Sequence, residues 1–208
     1  MAVTLNSSME KHILITIGRQ FGSGGKPVGD VLSQKLGIPV YDNELISEAA
    51  RQSGYSPEFF IRSDEKKRLF FLANLFGGNN YSRNMIGDAE LFRIQSETIR
   101  NLADKGSAIF VGRASDYVLR DLKPLSVFIT ASFESRIKFV CERDQVSPDE
   151  AAAIIDKRDR DRANYYNFFT QKHWGLASNY DLCINRSALG TDKTADLIIE
   201  FGKKMGII

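Results

Sequence analysis

Between Ile13 and Gly29 the chain carries an arrangement suited to anion chemistry. An apolar, β-branched run, Ile13-Leu14-Ile15-Thr16-Ile17, enters Gly18-Arg19-Gln20-Phe21-Gly22-Ser23-Gly24-Gly25-Lys26-Pro27 without an intervening loop. Val28, Val31, Leu32 and Leu36 then recur at helical spacing. Strand, glycine loop and helix let backbone N–H groups converge on phosphate oxygens, and the helix N-terminus adds partial positive charge. Arg19, Gly22, Ser23, Gly24, Gly25 and Lys26 are therefore the candidates for holding a phosphorylated ligand. A tight turn with no ligand is the alternative, and the density of glycine beside a lysine argues against it.

The loop nearly fits the phosphate-binding pattern G-x-x-x-x-G-K-[ST]. With Gly22-Ser23-Gly24 set on the pattern, the lysine place holds Gly25 and the lysine falls one later, at Lys26. Pro27 follows, where a Ser or Thr should touch magnesium. Proline suits the first turn of a helix, where a missing N–H costs little, but it cannot ligate a metal. Phosphate binding is thus better supported than catalysis.

Four other groups of residues could do chemistry. Asp42 follows a short strand, at the carboxyl edge where α/β sheets take ligands; it or Asn43 can equally cap the next helix. Arg93, Gln95 and Arg100 share a long helix, whose charged positions can equally face solvent. Arg113 follows Ile109-Phe110-Val111-Gly112 and has the planar fork that suits phosphate or carboxylate; an ion pair with Asp116 is the competing reading. Lys157-Arg158-Asp159-Arg160-Asp161-Arg162 places Arg158 and Arg162 on one helical face. Such arginines suit charge neutralisation in phosphoryl transfer, and an exposed salt-bridged helix would look the same.

These residues need a scaffold, and 208 residues suffice for one domain with a full core. A net charge of +2 gives no electrostatic case for nucleic acid. No apolar run approaches the roughly 20 residues that span a membrane, and Met1–Lys11 reads as a polar tail without a signal-peptide core. Cys141 and Cys183 lack metal-like spacing and read as buried free thiols in a reducing compartment, so the cytoplasm is the expected location.

Short apolar runs alternate with amphipathic segments, the pattern of a parallel sheet covered by helices. Strands are predicted at 12–17, 39–41, 107–111, 125–130 and 181–185. Helices are predicted at 26–36, 43–52, 64–76, 87–104, 115–120, 132–142, 148–164 and 191–205. Two segments read as inserts: 54–84, with Gly77-Gly78-Asn79-Asn80 as a turn, and 144–179, with the aromatic run Tyr165, Tyr166, Phe168, Phe169.

Taken together, Ile15–Lys26, Gly37-Ile38-Pro39-Val40-Tyr41-Asp42 and Val111-Gly112-Arg113 resemble the cytidylate-kinase-like family of P-loop nucleoside monophosphate kinases. Val127–Ser132 with Arg136, and Tyr180–Ser187, are similar to its later strands. The resemblance implies a three-layer α/β P-loop kinase fold with a central parallel sheet of about five strands. It implies one domain over 1–208, with a tail at 1–11, a helical acceptor-binding insert at 43–105 and a lid at 144–179. The activity implied is ATP- and magnesium-dependent phosphoryl transfer to a nucleoside monophosphate, cytidylate first.

Carried over by position, Gly22, Ser23 and Gly24 wrap the donor phosphates and Lys26 is the nearest candidate for the phosphate-binding lysine. Arg113 matches an acceptor-contacting arginine, and Gln95 matches a glutamine that precedes that motif. Asp159 and Arg162 match residues of the closing segment. The expected catalytic set is Lys26, Arg158, Asp159 and Arg162; the expected acceptor set is Asp42, Arg93, Gln95, Arg113 and Asp116. No side chain is assigned as a metal ligand. Departures are Ala114 where the family has Asp, with Asp116 as its substitute, and Asn43, Glu44, Leu45, Ser47 and Glu48 where it has small residues and an arginine. Two rival readings remain: a nucleotide-binding module with weak or no kinase activity, and a small-molecule kinase with a non-nucleotide acceptor.

Overall fold

The computed structural model describes residues 12–52 and 85–208. Five parallel strands, β1 (Leu14–Arg19), β2 (Val40–Tyr41), β3 (Ala108–Val111), β4 (Leu125–Thr130) and β5 (Leu182–Asn185), form one sheet in the order β2-β3-β1-β4-β5. The central strand β1 pairs on both sides, Ile17 with Val111 and with Val127. Its apolar residues alternate between two covered faces, which is why the sequence reads as an unbroken hydrophobic run.

Helices α1 (Gly25–Leu36) and α7 (Arg186–Lys204) cover one face. There Ile15, Ile17, Ile109, Val111, Val127 and Ile129 bury against Val28, Leu32, Ala195 and Ile198. The other face turns Leu14, Ala108 and Phe110 toward α2 (Asn43–Gln52), α3 (Met85–Lys105) and the short α4 (Ser115–Val118), burying Ile46, Ile99 and Val118. Helices α5 (Phe133–Asp144) and α6 (Pro148–Thr170) pack together through Val140, Ala151 and Ile155. Helix α6 starts with a full capping box, Ser147 and Glu150 exchanging bonds with each other's backbone N–H.

Several boundaries differ from the sequence expectation for physical reasons. Strand β1 runs on through Arg19, because β4 extends far enough to pair Gly18 with Phe128 and Arg19 with Ile129. Helix α6 continues to Thr170 rather than ending at 164, since Tyr165 and Phe169 find an aromatic partner in Phe92. Helix α7 begins at Arg186, and Gly190 kinks it at φ 75° near the expected start. Cys183 is exposed and Cys141 half-buried, both free, so the expectation of two buried thiols does not hold. The expected tail, the helix at 64–76 and the turn at 77–80 lie outside the described residues.

Candidate active site

At the carboxyl end of β1 the loop is held open by its carbonyls. Arg162 Nη1 donates to Arg19 O at 3.0 Å, Arg136 Nε to Phe21 O at 2.8 Å and Arg186 Nε to Ser23 O at 2.5 Å. These arginines arrive from α6, α5 and α7, and each takes an alternate carbonyl. Gly22 (φ 76°) and Gly24 (φ 80°) adopt left-handed conformations that the turn requires. A Cβ on Gly24 would stand 2.5 Å from Arg186 Nε, so the arginine could not lie across the loop. Gly24 caps α1 without a side-chain hydrogen bond. The first-turn N–H groups of α1 therefore have neither an intrahelical acceptor nor a side-chain cap.

Beside the loop is a cavity of about 350 Å³. One wall is cationic, with Arg19, Arg113, Arg158 and Arg162. None of the four has a carboxylate within ion-pair distance among the described residues. Burial, then the fields of Arg162 and Arg113, push the Arg19 guanidinium down to about 9. Burial pushes Arg162 down to about 10, Asp159 opposing and Arg158, Arg113 and Arg136 assisting. Both remain charged at neutral pH, so the cavity carries a repulsion that a polyanion would relieve.

An aromatic wall adjoins the cationic one, with Tyr165, Tyr166, Trp174 and Tyr180. Tyr165 lies under the Arg113 guanidinium, 5.3 Å from ring centroid to Cζ. Tyr166 donates its hydroxyl to Asp116 Oδ2 at 2.7 Å. Burial raises the Asp116 carboxyl above its usual range, and the Tyr166 bond only partly offsets this. Asn43 also lines the cavity, with Oδ1 buried and unpaired, an acceptor awaiting a donor. The backbone that delivers Arg113 is strained: Gly112 (φ 84°), Arg113 (57°) and Ala114 (50°) are left-handed in succession, an arrangement costly for the two non-glycine residues.

The expected site residues divide between this cavity and other roles. Arg19, Arg113, Asp116, Arg158 and Arg162 come together as cavity walls. Asp159 is drawn to the loop instead, where Oδ1 accepts from Phe21 N–H at 2.7 Å and Oδ2 from Arg136. Lys26 points off the loop: its ammonium meets Asp30 at 3.0 Å and Asp42 at 3.5 Å, and the Asp30 bond raises its pKa. Asp42 is the cap of α2, its Oδ1 accepting from the N–H groups of Glu44 and Leu45. Gln95 is buried behind the aromatic wall, 3.5 Å from the Tyr165 hydroxyl.

Arg93 stands apart. Half-exposed on α3, it bonds Glu90 and Glu97 at 2.5 Å, so the geometry gives its guanidinium partners outside the cavity. Glutamates three residues before and four after an arginine on one helix are a sequence signal for that outcome. Trp174 carried no sequence signal and Tyr180 only a place at the start of the last resembling segment; the turn before β5 brings both into the cavity. Arg136 and Arg186 lay within the resembling segments but without a role; their partners are backbone carbonyls, which no sequence pattern records.

A magnesium ion has little here to hold it. Counted from Gly24 the Ser/Thr place of the loop pattern is Lys26, a cation, and counted from the displaced lysine it is Pro27, so neither residue offers a ligand oxygen there. Among the described residues no group of three or more His, Cys, Asp or Glu side chains could enclose a metal.

With this glycine loop, arginine-lined cavity and parallel sheet, the chain matches known proteins along nearly its full length. The profile of the cytidylate kinase-like family covers residues 14–188. The chain belongs to that family. A cytidylate kinase of Sulfolobus acidocaldarius is 25% identical over 86% of this chain and 87% of its own length. One from Methanopyrus kandleri is 25% identical over 89% and 91%. Among solved structures, a protein of Eubacterium ventriosum titled as uncharacterized superimposes with a TM-score of 0.70 at 29% identity, covering 91% of this chain and 97% of that one. Shikimate kinase of Bacteroides thetaiotaomicron, 11% identical, shares the fold with a TM-score of 0.53 over 93% and 98%. The family member described here is thus an α/β protein of kinase fold. Among its described helices none is long and apolar enough to cross a membrane.

Proposed function

We propose that this family member transfers the γ-phosphoryl group of ATP to a nucleoside monophosphate, cytidylate being the first acceptor to try. The observation that carries the reading is the cavity wall of four arginines that have no carboxylate within ion-pair distance among the described residues, set beside a loop whose Arg19, Phe21 and Ser23 carbonyls are each bonded by an arginine from outside it. Phosphoryl transfer asks a protein mainly to position groups and to neutralise charge on the migrating phosphoryl. Here the loop and the start of α1 take the donor phosphates, Arg113 takes the acceptor phosphate, and Arg158 and Arg162 face the space between. Magnesium enters with ATP as part of the substrate, and the protein supplies the cations around it.

The aromatic wall with Asn43 and Asp116 is the place for the acceptor's base and sugar. Segment 43–105 contributes Asn43 to this pocket, in keeping with an acceptor-binding role, and 144–179 contributes the closing arginines. The two are parts of a single domain. The family name favours cytidylate, as do the relatives named above. The test is ADP release measured over a panel of nucleoside monophosphates and phosphorylated or hydroxylated metabolites. Turnover with one nucleotide at least tenfold above the rest supports the reading. Turnover only with a non-nucleotide moves the acceptor to the small-molecule class.

One observation favours a second reading, a nucleotide-binding module with weak or no transfer. The loop's lysine is engaged by Asp30 and Asp42 rather than aimed at the cradle. ATP binding without ADP release over the whole panel would establish it.

A further inference from the structure

In the pattern G-x-x-x-x-G-K-[ST], the first glycine closes the turn out of the strand and the lysine reaches the β- and γ-phosphates. With Gly24 on the second glycine, the first glycine's place is Arg19 and the lysine's place is Gly25. The two residue types have changed places: the cation has moved to the strand end and the glycine to the helix start.

The structure gives a steric reason for the exchange. A Cβ on Gly25 would lie 2.7 Å from Arg19 Cβ and 2.8 Å from its Cγ. Real side-chain carbons do not approach so closely, and both contacts fall on the base of the arginine stem, which cannot swing away. The Arg19 stem therefore runs through the room that a lysine stem at position 25 needs. Further out, a Cβ on Gly112 would overlap the Arg19 guanidinium, so a second glycine clears its path across the end of β3. The guanidinium ends in the cavity, near Arg113 and Arg162 and without a carboxylate ion pair among the described residues. Lys26, the alternative cation, is occupied by two aspartates.

We propose that Arg19 is the donor-phosphate clamp of this loop and that Arg19 and Gly25 work as one exchanged pair. Resting on the nucleotide-binding reading above, the proposal assigns that reading's central cation. The guanidinium offers two parallel N–H groups to phosphate oxygens where an ammonium offers a single point charge. Held by its own carbonyl through Arg162 and flanked by Gly25 and Gly112, it is placed before the ligand arrives.

The test compares Arg19→Ala, Gly25→Lys and the double Arg19→Gly/Gly25→Lys. ATP affinity is read by calorimetry, turnover by ADP release and folding by the thermal midpoint. Arg19→Ala should keep its midpoint near wild type and bind ATP about tenfold to a hundredfold more weakly, the loss of one charge-assisted contact. Gly25→Lys alone should lower the midpoint, since the new stem meets Arg19. The double variant should recover midpoint and ATP affinity relative to Gly25→Lys.

Folded Arg19→Ala with wild-type affinity and turnover overturns the clamp. A double variant no better than Gly25→Lys overturns the pairing. Where Gly25→Lys fails to fold, Arg19→Ala and Arg19→Lys still decide the clamp. Wild-type protein that binds no ATP overturns the nucleotide reading itself, a result distinct from wild-type binding that Arg19 does not influence.

Discussion

Asp159 and Arg136 form a buried pair whose second duty is to the phosphate loop. While one Asp159 oxygen takes Arg136, the other takes the N–H of Phe21, and Arg136 takes the Phe21 carbonyl at 2.8 Å. Both polar groups of a single loop residue are thus fixed by two side chains that also hold each other. The Arg136 side chain is 7% exposed and that of Asp159 18%, so losing either leaves the other largely desolvated and uncompensated.

Asp159→Ala should therefore destabilise the chain by about 2–4 kcal/mol, toward the range for breaking a buried pair from one side. Asp159→Asn keeps an acceptor for Phe21 and should cost clearly less. Urea unfolding of the three proteins measures the difference. Equal losses for Asn and Ala would mean that the Phe21 bond adds nothing.

Arg113 and Arg93 make opposite predictions although both are arginines near the sheet's carboxyl edge. Arg113 faces the cavity; Arg93 sits among glutamates on the surface of α3. Arg113→Ala should reduce kcat/KM for every phosphorylated acceptor by about a hundredfold, the scale for removing a charged group from a polar site. Arg93→Ala should change kcat/KM less than twofold and leave the thermal midpoint nearly unchanged, as exposed pairs do. A steep rise in acceptor KM for Arg93→Ala would return that residue to the binding set.

Which arginine counts was not legible in the sequence, and the reason is geometric. Helical spacing says that Arg93 and Arg100 share a face but not what the face meets. The glycine loop, the parallel sheet and the position of Arg113 after a strand were legible, because backbone chemistry and strand edges leave local marks. The role of Arg19 was half visible. It belonged to the loop, but only the near-contact with Gly25 explains why the lysine's place is empty. Asp159 was read as a closing residue because its partner, a backbone N–H 138 positions away, has no signature. The aromatic wall was seen as a run of Tyr and Phe, while Trp174 and Tyr180 join it only through the way the chain enters β5.

Asp116 should make stability depend on pH in a direction opposite to most carboxylates. Its pKa is raised above the ordinary 3.8, first by burial, so the folded chain holds this proton more firmly than the unfolded one. Stability from this group is then present at acid pH and declines as pH rises above about 4, through the raised value. Asp116→Asn keeps an acceptor for Tyr166 and removes the charge. It should be more stable than wild type at pH 7, with the gap closing as pH falls toward 4. Thermal midpoints across that range decide it, and a gap that widened in acid would refute the burial argument.

Ala114→Gly should separate stability from activity. At φ 50° the alanine bears a left-handed strain that glycine does not, which favours the variant by about 1 kcal/mol before the unfolded-state entropy of glycine is counted. A glycine there also loosens the turn that aims Arg113. The expected result is an unchanged or higher midpoint together with a raised acceptor KM. A lower midpoint with unaltered kinetics would show that the turn needs the alanine's packing rather than tolerating its strain.

The arginine hold on alternate loop carbonyls bears on how the protein is made. Gly18 to Lys26 is synthesised early, yet its outward carbonyls wait for residues 162, 136 and 186, separated by 143, 115 and 163 positions. Gln20 N–H waits in the same way for Ile129 O. Contacts spanning such distances close late in folding, so during vectorial synthesis the cradle is a pliable glycine strand with nothing to turn its carbonyls outward. It acquires its shape only when Arg186 has left the ribosome and β5 has joined the sheet. The anion proposed for this loop would therefore select finished chains, and would not rescue one stalled short of residue 186.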